Sequence, residues 1–120
     1  MLGQAMHELS IAMSIIDMAE EESAALGNAQ ISAVHLRLGR LSGVVKEALL
    51  SSFEMASVST KLEGSQLLIE EVPVEVFCPH CRERKALPSI QRLCCPTCGA
   101  PTAEVVQGRE LEVVALEIRE

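Results

Sequence analysis

Residues 78–98 read CPHCRERKALPSIQRLCCPTC, and the cysteines in this stretch decide how the rest of the chain is parsed. Cys78 and Cys81 form one C-x2-C pair, Cys95 and Cys98 a second, with thirteen residues between the pairs. Each pair lets a tight turn aim two sulfurs at one ion, and two such turns facing each other make a tetrahedral site. Thiolate ligands select zinc or iron over calcium or magnesium. The spacing does not by itself separate zinc from iron; the structural habit of such ribbons favours zinc. Four sulfurs leave no coordination position for water or substrate, so the expected role is structural. Few apolar side chains accompany these residues, and metal binding is expected to supply the free energy that folds them. Cys94 is the spare thiol, because its spacing to Cys98 does not match the first pair. His80 lies between two ligands, in a loop that exposes it.

Outward from this module the chain changes character. Upstream, from Glu8 to Leu26, apolar residues recur at Leu9, Ala12, Met13, Ile16 and Ala19, the spacing of one helical face. Gly27 stands where a helix C-cap is expected. Val34, Leu36 and Leu38 then alternate with His35 and Arg37, which predicts a strand with one covered face. A second helix is expected over Val45–Ser57, with Val45, Ala48, Leu49, Phe53 and Ala56 on one side. LLIEEVPVEVF (residues 67–77) reads as a second strand, in which Pro73 marks an edge position or the place where the strand leaves the sheet. Downstream, RELEVVALEIRE (109–120) is a third. His35 is expected on the polar face of the sheet, in a hydrogen-bonding role.

The order helix, strand, helix, strand, cysteine module, strand predicts an α/β fold. Two helices lie on a small mixed three-stranded sheet, with an inserted zinc-ribbon module. Residues 1–77 plus 109–120 form the α/β domain and 78–108 the ribbon. The strands flanking the insertion are expected to be antiparallel neighbours.

Composition narrows the function. At 120 residues and 48% hydrophobic, the chain is long enough for one real core. The net charge of −7 opposes binding to a polyanion, and two phenylalanines with no tyrosine or tryptophan provide no stacking platform for single-stranded nucleic acid. No apolar run reaches the roughly eighteen residues that cross a bilayer. Five cysteines, an odd number crowded into the last third, suit a reducing, cytoplasmic setting better than a disulfide framework. There is no nucleophile elbow, phosphate loop or open metal site, so an enzyme is not expected.

Four segments together resemble one family. MHELSIAMSIID (6–17), VHLRLGRLSGV (34–44), the two C-x2-C pairs and GRELEVVALEI (108–118) are similar, in this order, to HypA/HybF, the hydrogenase nickel-incorporation proteins. The resemblance covers the chain from Met6 onward. It implies a nickel metallochaperone with no catalytic turnover. Nickel is held at the amino end and delivered, with a nickel-handling GTPase, to the precursor of the hydrogenase large subunit. The family's nickel residues, a histidine and a glutamate after the initiator methionine, correspond to His7 and Glu8. Its zinc residues correspond to Cys78, Cys81, Cys95 and Cys98.

Nickel chemistry agrees for His7. An imidazole one residue from a free amine can join that amine and the intervening backbone amide in a square-planar set. Glu8 can add its backbone nitrogen or its carboxylate. MLGQA precedes Met6, however, and while it is present Met6 has no free amine. The rival reading is a zinc-ribbon module that binds other proteins and carries no nickel. A homodimer is left open.

Overall fold

The computed structural model describes residues 2–90, 92–102 and 104–119, with side chains from His7 onward. The elements are α1 (Leu2–Ala25), β1 (Gln30–Gly39), α2 (Lys46–Ala56), β2 (Gln66–Val72), β3 (Glu75–Cys78), β4 (Glu83–Ala86), β5 (Glu104–Gln107) and β6 (Leu111–Arg119). They make two three-stranded sheets, ordered β2-β1-β6 and β4-β3-β5. The described residues divide into two compact units, residues 1–36, 44–70 and 112–120 in the first and 37–43 and 71–111 in the second.

The first unit is organised by an apolar core. Ala12, Ile15, Ile16 and Ala19 of α1 meet Ile31, Val34 and Leu36 of β1 and Leu49 and Phe53 of α2, with Leu62 and Leu67 closing the cluster. The buried side of α1 runs Glu8, Ala12, Ile15, Ile16, Ala19, Ser23, steps of three and four residues that keep to one face. Met13, expected inside, is 52% exposed, and Ile15 takes its place. Polar Glu8 and Ser23 extend the buried stripe at its two ends, and an apolar-only pattern misses both. The carboxyl end of α1 closes as Gly27 predicts. Gly27 has φ +74°, its N–H donates to Ala24 O, and the Asn28 N–H donates to Ser23 O at 2.8 Å. This is the six-to-one and five-to-two pairing of a Schellman cap.

The second helix occupies nearly the expected span, although Val45 is 40% exposed and Ser52 is buried beside Leu49 and Phe53. LLIEEVPVEVF does not continue as one strand. It breaks at Pro73, so that β2 belongs to one sheet and β3 to the other. Proline cannot donate to a ladder, and the break falls where the buried positions shift from Leu67 to the series Val72, Val74, Val76, Cys78.

The expected pairing of the two strands that flank the ribbon is not found. β1 lies between β2 and β6. The reason is visible in β1 itself: Ile31, Ala33, Val34, Leu36 and Leu38 are all buried, on both parities, as suits a central strand. By contrast, Leu111, Val114 and Ile118 of β6 remain exposed.

In the second unit β3 is central, pairing antiparallel with β4 (Val76 opposite Lys85, Cys78 opposite Glu83) and with β5 (Val76 opposite Val105). Its apolar cluster is small: Val74, Val76 and Leu87 are buried, with Leu41 and Val105 packed against them. Residues 39–41 are strapped into this unit by backbone bonds, Gly39 N–H to Glu110 O, Leu41 N–H to Gly108 O (both 2.7 Å) and Arg40 N–H to Val72 O. Gly39 admits no side chain, since a Cβ there would meet the Gly108 carbonyl oxygen at 2.1 Å.

Candidate metal centre

The four cysteines singled out by spacing converge. The Sγ atoms of Cys78, Cys81, Cys95 and Cys98 all lie within 4.8 Å of one another. Cys78 Sγ to Cys98 Sγ is 3.6 Å and Cys81 Sγ to Cys95 Sγ is 3.9 Å. A regular tetrahedron with Zn–S bonds of about 2.3 Å has S···S edges of about 3.8 Å. The two measured edges straddle that value, so the donor set fits a structural zinc ion in both chemistry and size. No cysteine of the chain forms a disulfide.

Two equivalent turns build the site. After Cys78 the chain folds back so that the Cys81 N–H points at Cys78 Sγ (3.3 Å) and the Arg82 N–H donates to Cys78 O (2.7 Å). After Cys95 the same geometry recurs, with the Cys98 and Thr97 N–H groups on Cys95 Sγ (3.5 and 3.4 Å) and the Gly99 N–H on Cys95 O (2.8 Å). Each turn requires left-handed backbone at the residue after its second cysteine. Gly99 supplies it at φ +78°, and Arg82 adopts it at φ +58° despite its side chain. The glycine advertised this turn in the sequence and the arginine did not. Matched C-x2-C spacing was the signal that both turns share.

These amides also set the acidity of the thiols. Backbone N–H groups of Cys98 and then Thr97 hold Cys95 well below the usual thiol range, at about 6, against the effect of its burial. Cys81 is pushed up to about 12, first by its hydrogen bond with Cys98 and then by burial. Four sulfurs this close share protons when no cation is present. A dication binding there must displace them, so metal affinity is linked to pH. The Lys85 ammonium adds positive charge near Cys81 and Cys95; its own pKa is raised mainly by the Glu83 carboxylate, to which it is hydrogen-bonded.

Cys94 stands outside the cluster. It is half-buried, and its backbone bridges to Pro101. His80 is exposed on the first turn, as its place between the ligands implies. His35 is on β1, where its Nε2 meets Glu117 Oε2 of β6 at 2.5 Å, the surface hydrogen-bonding role expected for it.

At the amino end, His7 and Glu8 both lie within α1, not ahead of it, because the helix begins at Leu2. His7 is exposed. Glu8 is wholly buried, and its Oε2 accepts the Val45 N–H at 2.8 Å. Sequence reasoning missed that contact because its partner is a backbone amide 37 residues away.

Comparison with known proteins agrees with this geometry. Residues 6–118 match the family model described as "Hydrogenase/urease nickel incorporation, metallochaperone, hypA". The chain is 53% identical over 112 residues to the hydrogenase maturation factor HypA of Roseiflexus sp. (strain RS-1), covering 93% of this chain and 91% of that protein. It is 51% identical over 112 residues to the protein of the same name from Chloroflexus aggregans, covering 93% and 98%. Among solved structures it is similar to that of the Ni metallochaperone HypA from Helicobacter pylori, with a TM-score of 0.61 at 26% identity, covering 92% of this chain and 96% of that one. A second HypA solution structure gives a TM-score of 0.70 at 25% identity, covering 95% and 97%. With its four-sulfur cluster and a family match that begins at the methionine before His7, the chain belongs to the HypA family of nickel-incorporating metallochaperones.

Proposed function

We propose that this protein binds nickel(II) at its amino end through His7 and neighbouring nitrogens and surrenders it for maturation of nickel-iron hydrogenase. Cys78, Cys81, Cys95 and Cys98 hold a structural zinc ion meanwhile. The observation that carries the reading is the exposure of His7, one residue after the point where the family match begins. A carrier needs a site that selects its ion yet releases it on docking, and an exposed imidazole suits that better than a buried cage. Hydrogenase is named as the acceptor because the relatives are described as hydrogenase maturation factors. Its large-subunit precursor and a nickel-handling GTPase are the expected partners, and a homodimer is compatible with the reading. The protein works by binding and transfer, with no catalytic turnover. Free cysteines favour a cytoplasmic setting, and among the described residues no helix is long and apolar enough to cross a membrane. Residues 1–77 with 109–120 serve as the nickel domain and 78–108 as the zinc ribbon.

The residues before Met6 bear directly on this site. In a helix that starts at Leu2, the amides of His7 and Glu8 belong to the helical hydrogen-bond ladder, and Met6 has no free amine. In a chain that starts at Met6, the first four amides are orphan donors, free to lose a proton to nickel. Calorimetric titration of nickel(II) into zinc-loaded protein, as the full chain and as a chain beginning at Met6, tests the proposal. Tight one-to-one binding is expected with the free Met6 amine, and it should be abolished by His7→Ala. Nickel uptake by neither chain would leave the protein-binding zinc-ribbon module as the surviving reading.

A further inference from the structure

His7 and Glu8 are adjacent in sequence and opposite in environment. Successive residues of an α-helix point about 100° apart, so burying one swings the other toward solvent. Glu8 is the buried one, with no accessible surface. Its Oε2 accepts the Val45 N–H at 2.8 Å, and its Oε1 has no hydrogen-bond partner among the described residues. Val45 is the N-cap of α2, with extended backbone (φ −86°, ψ 117°) and no side-chain cap of its own.

That arrangement has a known local counterpart. In a capping box, a glutamate three residues after the N-cap reaches back to the N-cap amide. Here the third residue of α2 is Ala48, which cannot do so, and the glutamate arrives from α1 instead. The carboxylate also lies at the positive end of the α2 dipole, which favours an anion. A buried carboxylate is costly without such partners, and it stays buried because it has them.

We infer that Glu8 is a positioning residue that caps α2 and fixes the start of α1 against it, and that its carboxylate is not a nickel ligand. His7 faces outward because Glu8 faces inward. The nickel half of this inference rests on the proposed function, whereas the capping half stands without it.

The test uses the full zinc-loaded chain and its Met6-start form, with two readouts: amide exchange at Val45 and the nickel isotherm with its visible absorption spectrum. Glu8→Gln keeps an acceptor on the Val45 amide, so exchange there and the nickel dissociation constant should each stay within about threefold, with the nickel spectrum unchanged. Glu8→Asp withdraws the carboxylate by one methylene and Glu8→Ala removes it. Exchange at Val45 should then rise severalfold in the first and tenfold or more in the second. A tenfold loss of nickel affinity in Glu8→Gln, with Val45 still protected, would overturn the inference and make the carboxylate a ligand. Unchanged Val45 exchange in both Glu8→Asp and Glu8→Ala would overturn the cap. If instead His7→Ala leaves nickel binding intact, the carrier reading fails, and exchange at Val45 still decides the role of Glu8.

Discussion

The two units of this protein answer the same thermodynamic demand by different means. In the first, eleven buried apolar residues among those described form a continuous cluster, nine of them from two helices and a central strand, with Leu62 and Leu67 closing it. Among the described residues of the second, the buried aliphatic side chains are Leu38, Val72, Val74, Val76 and Leu87, and the cluster they feed holds just Val74, Val76 and Leu87. Ordering each residue costs roughly 1–2 kcal/mol of backbone entropy, and burying each aliphatic side chain returns about 1.5–3 kcal/mol. Five such side chains cannot hold the 71–111 segment, so its order depends on a metal ion held by the sulfurs. Apolar burial stabilises one unit and coordination stabilises the other.

The largest expected effect is therefore metal removal. Chelation, or Cys95→Ser, should abolish amide protection in β3, β4 and β5 while α1, α2 and β1 stay protected. The loss is on the order of 10 kcal/mol, the scale of zinc binding to small folded modules. Hydrogen exchange resolved by residue checks it, and retained protection in β3 would break the contrast between the units.

Next in size is the reverse experiment. Phe53→Ala should cost the first unit about 3–5 kcal/mol in chemical denaturation, with zinc content unchanged.

A pH series sharpens the contrast further. Backbone N–H donors lower the Cys95 thiol from 9.0 to about 6, whereas its hydrogen bond with Cys98 and burial raise Cys81 to about 12, so protons compete with the metal for the four sulfurs. Zinc must displace the protons, and its affinity, measured by chelator competition, should be more than tenfold weaker at pH 5.5 than at pH 7.5. Thermal unfolding of the first unit, with no thiol in its core, should not follow the same curve. The smallest effect is expected from Arg82→Gly, which relieves left-handed backbone at a non-glycine and should stabilise the zinc-loaded ribbon by up to about 1 kcal/mol.

The contrast also explains what was legible in the sequence. Periodicity reports apolar burial, so α1, α2 and β1 could be read, and Gly27 announced the end of α1. Spacing reports coordination, so Cys78, Cys81, Cys95 and Cys98 could be read. Neither signal reports β4, whose four residues ERKA are charged or small and include three that are exposed. Nor could either place β1 between β2 and β6, because sheet order is set by which strand edges hydrogen-bond to one another, and neither signal reports that. Met13 lies outside and Ile15 inside because the buried face of α1 takes in Glu8, a residue that hydropathy counts as exterior. The candidate nickel residues were legible only by resemblance. The division of labour between them, His7 outside and Glu8 inside, needed coordinates.

The scarcity of aromatic residues has a practical consequence. Phe53 is buried in the first core, Phe77 stands on β3 next to Cys78, and there is no tyrosine or tryptophan. The near ultraviolet is consequently almost dark, which leaves the thiolate-to-metal charge-transfer bands of a cobalt(II)-substituted ribbon free of aromatic background. Fluorinated phenylalanine would give two resonances, one reporting on each unit. Stripping the metal should shift the Phe77 signal and leave the Phe53 signal in place, so a single one-dimensional spectrum can follow both units at once.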